Sequence, residues 1–518
     1  MQQGDPLGPL LFSLGLQPAL RNALRYVQPF AYMDDIYLMG TPEHLHQALT
    51  SLSKDFSNLN LRINTKKCWS TVELLDAWSS IHVTQHPVVM KAPFNPNAPT
   101  GPLQEKTMKM IGSVAELPDT QVALLLLRTI NNSSLVYNIR TSVPGANAEK
   151  IGQLQEGVLR ALAHILKVQP EAVAEVVTRV QMPLGPGLGF TNISRIAKEA
   201  YCASWLQAVT RLHALDKVRF RMPTFNSSSS NLPPSDVLAR ESLKDRILLK
   251  ADPCLHLQHL KVAQKADAVL QEQFNSLPPV QKVIVKSLWG KFPGAWLSAI
   301  PTEKELTMPS GLMRVALCLF LGIQIDPQAT SCPSCNALAH PSFNVHILKC
   351  TDQKAFCVRH DAIKFSVADL ARQARIPVTI EKKVYTDSSK RPDIILHSFG
   401  RESQDVALDI SVVDPFRADI KEDDPPLKAA MERERVKVSK YTTRSGSPLL
   451  FRPVVLEAYG GVTRECLQNV INPLIKRIDT YYPVNWAAPT AKMYWYQRLT
   501  LTLWHHNASK VKLFAKNY

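Results

Sequence analysis

The first patterned stretch of the chain is an apolar and aromatic run over 30–38 that contains two adjacent carboxylates, Asp34 and Asp35. A run of this length and composition predicts two short strands joined by a tight turn. We expect the carboxylates at the tip of this hairpin and the flanking apolar residues to be buried. Adjacent carboxylates repel each other, so the pair indicates either a bound cation or an ordinary solvated turn.

Helical periodicity follows the hairpin and recurs further along the chain. Apolar residues at three- and four-residue spacing predict helices over 41–59, 121–136 and 147–168. The first of these helices has one apolar face, made of Leu45, Ala48, Leu49 and Leu52.

Three further stretches have no candidate chemistry. The segment 91–103 contains four prolines and predicts a connector. Ser227–Ser230, followed closely by two prolines, predicts a flexible polar hinge. Beyond the hinge, the pattern over 237–322 is again helical.

Short apolar runs return in the last third of the chain. They predict strands over 391–396, 406–413 and 454–461, with helices over 359–374 and 427–441. The first of these helices is expected to turn one face inward, formed by Phe365, Val367, Leu370 and Ala371. The whole pattern predicts an α+β multidomain chain.

Charge and composition narrow the choice of partner. The chain of 518 residues has 60 Lys and Arg against 44 Asp and Glu, a net charge of +16, which favours nucleic acid. An anionic membrane is the alternative, but no strongly basic amphipathic helix is present and the longest apolar run, 315–323, is too short to span a bilayer. The residues after Met1 do not resemble a secretory signal, and nine cysteines, an odd number, indicate reduced thiols and metal ligation.

A compact cysteine and histidine pattern predicts a zinc site. Cys332 and Cys335 form a Cys-x-x-Cys turn, and His346 and Cys350 are one helical turn apart. Four such ligands make a closed tetrahedral site, which is typical of structural zinc. Free thiols with a histidine packed nearby are the alternative. Spare candidates for ligands are His340, Cys357 and His360.

Two aspartates in the predicted strands indicate a second metal site. Asp393 precedes one strand, and Asp409 lies at the centre of the next. A carboxylate in an apolar strand is costly to bury unless a positive charge compensates it. If the two strands pair, the carboxylates converge and can bind Mg²⁺ or Mn²⁺. Lys437 and Lys440, on the helix that follows, are alternatives for neutralising a phosphate or orienting water.

The start of the chain resembles a reverse transcriptase. The turn Gln3–Pro9 with the helix after it, the Asp34–Asp35 hairpin and the segment 61–68 resemble motifs B, C and D of that family, in order. The resemblance implies that the two aspartates hold catalytic magnesium. It places Gln3 and Gly4 near the template or nucleotide, and Lys66 or Lys67 near the incoming nucleotide.

In that family a further aspartate, in motif A, lies upstream of motif B. The chain begins almost within motif B, and two-metal phosphoryl transfer needs more than one carboxylate pair. We therefore expect the polymerase half to be catalytically incomplete, and the chain to be a fragment, a truncated gene model or a decayed copy. The segment 181–190 is similar to a leucine- and glycine-rich segment of non-LTR retroelement polymerases, although glycines in tight turns explain it equally well.

The last third resembles the PD-(D/E)xK nucleases, and specifically the endonuclease of one branch of non-LTR retrotransposons. There a Cys-Cys-His-Cys knuckle precedes the nuclease, and the segments Arg359–Asp361 ("RHD") and Lys437–Tyr441 ("KxxKY") recur. Ser411 stands where the general motif has lysine, which implies that Lys437 or Lys440 replaces it. Glu381 is a further candidate acid, although we expect it to lie on the surface.

Together these resemblances imply a truncated reverse-transcriptase palm, a helical thumb and connector, a small zinc knuckle and a C-terminal α/β restriction-endonuclease-like domain. The predicted segments are 1–88 (palm), 104–225 (thumb), 236–325 (connector), 330–352 (knuckle), 356–480 (nuclease) and 481–518 (C-terminal extension). The implied cofactors are Mg²⁺ and Zn²⁺, and the implied partners are element RNA and target DNA.

The remaining expectations concern location and the C-terminus. We expect nuclear action after cytoplasmic synthesis; no feature of the sequence indicates an oligomeric state. The aromatic and basic run Met493–Arg498 could stack on bases, but a helix packed on the nuclease core is the expected arrangement. The alternative function is a non-enzymatic, zinc-containing nucleic-acid-binding protein.

Overall fold

The computed structural model divides the chain into two compact units, one of residues 1–100 with 141–146 and the other of residues 101–140 with 147–518. The structure describes residues 7–90, 92–93, 101–142, 145–198, 200–201, 203–204, 269–325, 331–337, 343–350, 353–382, 391–417, 420, 423–442, 449–483 and 486–514. The predicted hinge Ser227–Ser230, and part of the predicted connector and helical stretch, lie outside these residues.

The first unit is built on two helices. Helix α1 (Gly8–Ala23) has a proline in its first turn, where a missing N–H costs nothing, and α2 (Pro42–Asn58) begins at Thr41, whose hydroxyl accepts a hydrogen bond from the His44 N–H. The two helices pack on each other around Leu16, Ala19, Leu52 and Phe56. The predicted helix over 41–59 is confirmed.

Between these helices the predicted hairpin is present. Strands β1 (Gln28–Tyr32) and β2 (Asp35–Met39) pair antiparallel, with Tyr32 opposite Asp35. The prediction that the flanking apolar residues are buried is wrong for Phe30 and Tyr32, whose exposed fractions are 52% and 62%. The reason is that the hairpin is a two-stranded sheet, and only one of its faces packs on the helices.

Four short strands complete the first unit. Strands β3 (Trp69–Ser70) and β4 (His82–Val83) pair parallel, and β5 (Val88–Val89) and β6 (Ala92–Pro93) pair antiparallel.

The second unit begins with a group of helices. They are α3 (Gly101–Ala115), α4 (Thr120–Thr129), α5 (Val136–Thr141), α6 (Ala148–Leu166), α7 (Pro170–Glu175) and α8 (Val177–Gln181). A π-helical stretch, 130–135, joins α4 to α5. The Asp119 carboxylate accepts hydrogen bonds from the Gln121 and Val122 N–H groups and so caps α4. The helices predicted over 121–136 and 147–168 are therefore confirmed.

The glycine-rich segment 181–190 is a packed turn held by a buried cation. The Arg179 guanidinium donates to the Pro186 carbonyl at 2.9 Å and to the Phe320 carbonyl at 2.7 Å. Gly185 and Gly189 have φ values of +123° and +73°, a region that favours glycine. The glycines are thus explained by the turn itself.

Further helices precede the sheet and surround it. They are α9 (Pro279–Ser287), α10 (Ser310–Leu321), α11 (Phe343–Lys349), α12 (Gln353–Gln373), α13 (Lys428–Thr442), α14 (Arg464–Cys466), α15 (Asn472–Asp479) and α16 (Ala491–Phe514). Helix α12 begins six residues before the predicted start at Arg359. Along it Val367, Leu370 and Ala371 are buried as predicted, whereas Phe365 is 48% exposed, so that part of the prediction is wrong.

A four-stranded mixed sheet forms the rest of the second unit, in the order β10-β9-β8-β7. Strands β8 (Ile394–Leu396) and β9 (Val406–Val413) lie within two predicted strands, and β10 (Leu450–Glu457) begins and ends four residues before the third, predicted over 454–461. The edge strand β7 (Val378–Ile380) was not predicted. The pairs β7–β8 and β8–β9 are antiparallel, and β9–β10 is parallel. Helix α12 packs on β7, β8 and β9, and α13 packs on β9 and β10.

Helix α16 contains the mixed aromatic and basic run Met493–Arg498, and much of it is buried. It packs on α10, α11, α12 and α15, and Trp495 and Trp504 have no exposed surface. The expectation that this stretch packs as a helix is confirmed. Within the described part of the chain, no helix combines the length and the apolar composition that crossing a bilayer requires.

Trp504 offers a direct test of this packing. It lies at stacking distance from Trp296, with ring centroids 5.1 Å apart, and meets Phe320 and Tyr459 edge-on. We expect Trp504→Ala to lower the free energy of unfolding of the second unit by about 3–5 kcal/mol, because it leaves a large cavity. Urea unfolding followed by circular dichroism measures this. Trp486→Ala, at a residue 76% exposed, is the control and should change stability by less than about 0.5 kcal/mol.

Candidate metal centre and carboxylate site

Four side chains of the second unit meet as a candidate metal centre. The ligand atoms of Cys332, Cys335, His346 and Cys350 all lie within 4.8 Å of one another. The Cys332 and Cys350 sulfurs are 3.7 Å apart, and the Cys335 sulfur is 3.3 Å from Nε2 of His346. These are the four ligands that the sequence predicts.

Local backbone structure brings the four ligands together. The Cys332 N–H donates to the Ala337 carbonyl and the Asn336 N–H donates to the Cys332 carbonyl, so the chain turns tightly around the first two cysteines. Asn336 has a φ of +56°, which asparagine tolerates. The Cys350 N–H donates to the His346 carbonyl at 2.8 Å, which continues α11 by one turn and aligns the other two ligands.

The surroundings of two of these side chains favour the deprotonated forms, which are the forms that bind a metal ion. The pKa of the Cys335 thiol lies below its ordinary value, first because of a hydrogen bond with the backbone at Ala337 and further through the neighbouring thiols. The pKa of His346 is also lowered, by partial burial and then by Lys349 and Lys510. Three thiols and one imidazole are the soft donors that zinc prefers, so the residues fit a closed zinc site.

The spare zinc candidates are placed elsewhere or are not described. His360 contacts Asp393, and Cys357 is exposed on α12. His340 lies outside the described residues.

The carboxylate site is formed where β8 meets β9. The register pairs Ile394 with Leu408, and Asp393 and Asp409 are the next residues of the two chains beyond this pair. Opposite residues of an antiparallel pair project to the same face. Both side chains are largely buried, with exposed fractions of 15% and 10%.

Asp393 is held by a histidine and by the neighbouring strand. Its Oδ2 atom lies 3.3 Å from Nε2 of His360 and accepts a hydrogen bond from the Ile410 N–H at 2.6 Å. Nδ1 of His360 lies 3.2 Å from the carboxylate of Asp361. The pKa of His360 is raised above its ordinary value, mainly by the hydrogen bond to Asp393.

Asp409 is paired with Lys437. The ammonium of Lys437 contacts Oδ2 of Asp409, while Lys440, one turn further on α13, is exposed. The hydroxyl of Ser411, which stands where the general nuclease motif has lysine, accepts a hydrogen bond from Arg433 at 3.3 Å. Lys437, one of the two candidate lysines, is thus in contact with Asp409.

Glu381 lies close to this group rather than on an unrelated part of the surface. Its carboxylate accepts hydrogen bonds from Lys364 and forms an ion pair with Arg391 at 3.2 Å. Lys364, which is only 3% exposed, also contacts Asp361 at 2.8 Å. The contact of His360 with a carboxylate and the role of Lys364 were not predicted. The four-residue spacing that puts both on one helix face is the signal that could have found them.

The hairpin carboxylates of the first unit have a simpler environment. Asp34 and Asp35 are exposed at and beside the turn, where Met33 has a φ of +59°. Lys66 and Lys67 lie in a 3₁₀ turn, and both are exposed. Gln3 and Gly4 lie outside the described residues. Over the residues described here, only the Cys/His group brings three or more potential ligands within 4.8 Å.

Comparison with known proteins supports the resemblance of the start of the chain to a reverse transcriptase. The family model "Reverse transcriptase (RNA-dependent DNA polymerase)" matches residues 1–114. None of the curated proteins compared with the chain matches it. The chain therefore carries a reverse transcriptase family domain over these residues; that family acts on nucleic acid and typically uses Mg²⁺.

Metal content tests the Cys/His centre. We expect one zinc ion per chain after purification without chelator, and loss of that ion in Cys335→Ser, because a three-ligand site binds zinc more weakly. Elemental analysis by mass spectrometry measures the ratio of zinc to protein. Cys357→Ser is the matched control, since Cys357 is also an exposed cysteine, and it should keep its zinc. Equal zinc content in the two variants would refute the assignment.

Proposed function

We propose that the chain derives from a non-LTR retrotransposon reverse transcriptase/endonuclease and nicks DNA with the carboxylate site of its second unit. The observation that carries this proposal is the antiparallel pairing of β8 with β9 directly beside Asp393 and Asp409, with Lys437 on the second carboxylate. The reverse transcriptase match over residues 1–114 and the Cys/His centre, in this order along the chain, support it. A nuclear site of action, on chromosomal DNA, is part of the same proposal.

In this proposal the residues divide the work of cutting. Asp393 and Asp409 hold a Mg²⁺ ion, since Mg²⁺ in such sites uses one or two carboxylates with water and substrate phosphate as the other ligands. The bound ion would activate water and stabilise charge on the phosphate. Lys437 neutralises the scissile phosphate or orients the attacking water from its position beside Asp409. His360 holds Asp393 in place through Oδ2.

For the first unit we propose nucleic-acid binding without polymerisation by this chain alone. Asp34 and Asp35 provide one carboxylate pair, and two ions held about 3.5–4 Å apart need further ligands. Among the described residues no third acidic or histidine ligand gathers around that pair.

A primer-extension assay with RNA template tests this part. We expect no extension by the chain alone, and extension once a segment carrying the motif A aspartate of a related reverse transcriptase is fused upstream of Met1. Asp34→Asn in the fused protein is the control and should remove the activity again. Extension by the chain alone would contradict the proposal.

The second candidate function is nucleic-acid binding without cutting. One observation favours it: both carboxylates already have partners within the protein. Asp393 contacts His360, and Asp409 contacts Lys437. With the net charge of +16, such a protein would bind nucleic acid through phosphate contacts that weaken as salt rises.

Plasmid nicking distinguishes these two functions. With Mg²⁺ or Mn²⁺ present, we expect the chain to convert supercoiled plasmid to open circles, and Asp393→Asn and Asp409→Asn to remove this activity, because the amides keep the shape but lose the charge that holds the ion. Lys437→Ala should lower the rate by about 100-fold and Lys440→Ala by much less.

Gel electrophoresis over time gives these rates. Asp423→Asn, at an exposed aspartate, is the control and should cut like the parent. If the parent binds plasmid in a salt-dependent way but does not cut it with either metal, the binding function replaces the nuclease.

A further inference from the structure

Two consecutive residues of α12 face two different sites. His360 contacts Asp393 at the carboxylate site. Arg359 is only 3% exposed, and its guanidinium donates to the Leu348 carbonyl at 3.3 Å and to the Asn507 side chain at 2.8 Å. Leu348 lies between His346 and Cys350, the two ligands that α11 supplies. Successive residues of a helix point about 100° apart, so a single turn of α12 connects the two sites.

Helix α16 reaches the same point from the other side. Lys510, 2% exposed, donates to the carbonyl of the ligand Cys350 at 2.7 Å. Asn507, fully buried, accepts from Arg359 and donates to the Ala458 carbonyl at 2.7 Å, directly after β10. One buried set of hydrogen bonds thus joins α11, α12, α16 and the end of the sheet.

The charges in this set need compensation. Burying two cations is costly unless opposite charge lies nearby, and burial lowers the pKa of Arg359 to about 10. Asp414 is one compensating charge for Arg359. A zinc ion with three thiolates carries a net charge of about −1, and it would lie beside the carbonyls that Arg359 and Lys510 contact. The loaded metal centre therefore supplies the charge that favours this arrangement.

We propose that the Cys/His centre positions the carboxylate site, with Arg359 and Asn507 as the positioning residues that carry the connection. The expected effect on nicking rests on the proposed nuclease function, whereas the hydrogen-bonded connection between the two sites does not. Zinc fixes the C-terminal end of α11; Arg359 then fixes the first turns of α12, and His360 is held against Asp393. Without the ion, α12 is free to shift and Asp393 loses its fixed place beside Asp409.

The amide of Ile410 reports on this connection without any need for catalysis. Its N–H donates to Oδ2 of Asp393, so its hydrogen exchange is slow only while Asp393 is in place. We expect exchange at Ile410 to be about 10-fold or more faster in full-length protein stripped of zinc, and to return when Zn²⁺ is added back. Unchanged exchange at Ile410 in the zinc-free protein would overturn the proposal.

Arg359→Lys tests the residue itself, because it keeps the charge but loses the forked donors. With zinc still bound, we expect the same faster exchange at Ile410 and nicking about 10- to 100-fold slower. Arg372→Lys is the matched control: it lies on the same helix, is half exposed and pairs with Asp369 outside this network, so it should match the parent in both measurements.

The outcomes separate the two proposals. Normal exchange and normal nicking in Arg359→Lys would refute the positioning role while leaving the nuclease intact. A parent protein that never nicks would refute the nuclease, and exchange at Ile410 would still decide the connection. If Arg359→Lys does not fold, Asn507→Asp takes its place. This substitution keeps the acceptor for Arg359 but loses the hydrogen bond to the Ala458 carbonyl, and the same results are expected.

Discussion

The burial of helix α16 is the constraint on which the second unit depends. This helix contributes to the unit's large hydrophobic core along its whole length, from Ala491 to Val511. Some of its polar residues are buried with it, and Asn507 and Lys510 can be there because backbone carbonyls of other elements accept their hydrogens. The same helix therefore contributes apolar burial and fixes the relative positions of α11, α12 and the end of β10.

Local patterns account for what could be predicted from the sequence. The helices around 41–59 and 147–168 and the strands β8, β9 and β10 have periodicities that one stretch of chain fully determines. The grouping of the four Cys/His side chains was also predicted, because a Cys-x-x-Cys turn and a histidine and a cysteine one helical turn apart are defined by short spacings. The pairing of β8 with β9, beside Asp393 and Asp409, followed from two predicted neighbouring strands.

Long-range contacts account for what could not be predicted. The edge strand β7 has three residues and forms only because β8 offers a free edge. Phe365 fits the apolar spacing of α12 but lies beyond the face that the sheet covers. The contact of Lys437 with Asp409 and the contact of His360 with Asp393 depend on how α13 and α12 lie across the sheet. No spacing within one element contains that information.

The two aspartates of the carboxylate site are held by contacts within the protein. The contacts described for Asp393 and Asp409 all involve Oδ2: His360 and the Ile410 N–H contact the first, and Lys437 contacts the second. A buried carboxylate needs such contacts to offset the cost of leaving water. Because these partners come from α12, β9 and α13, the burial of the two carboxylates depends on how both helices pack on the sheet.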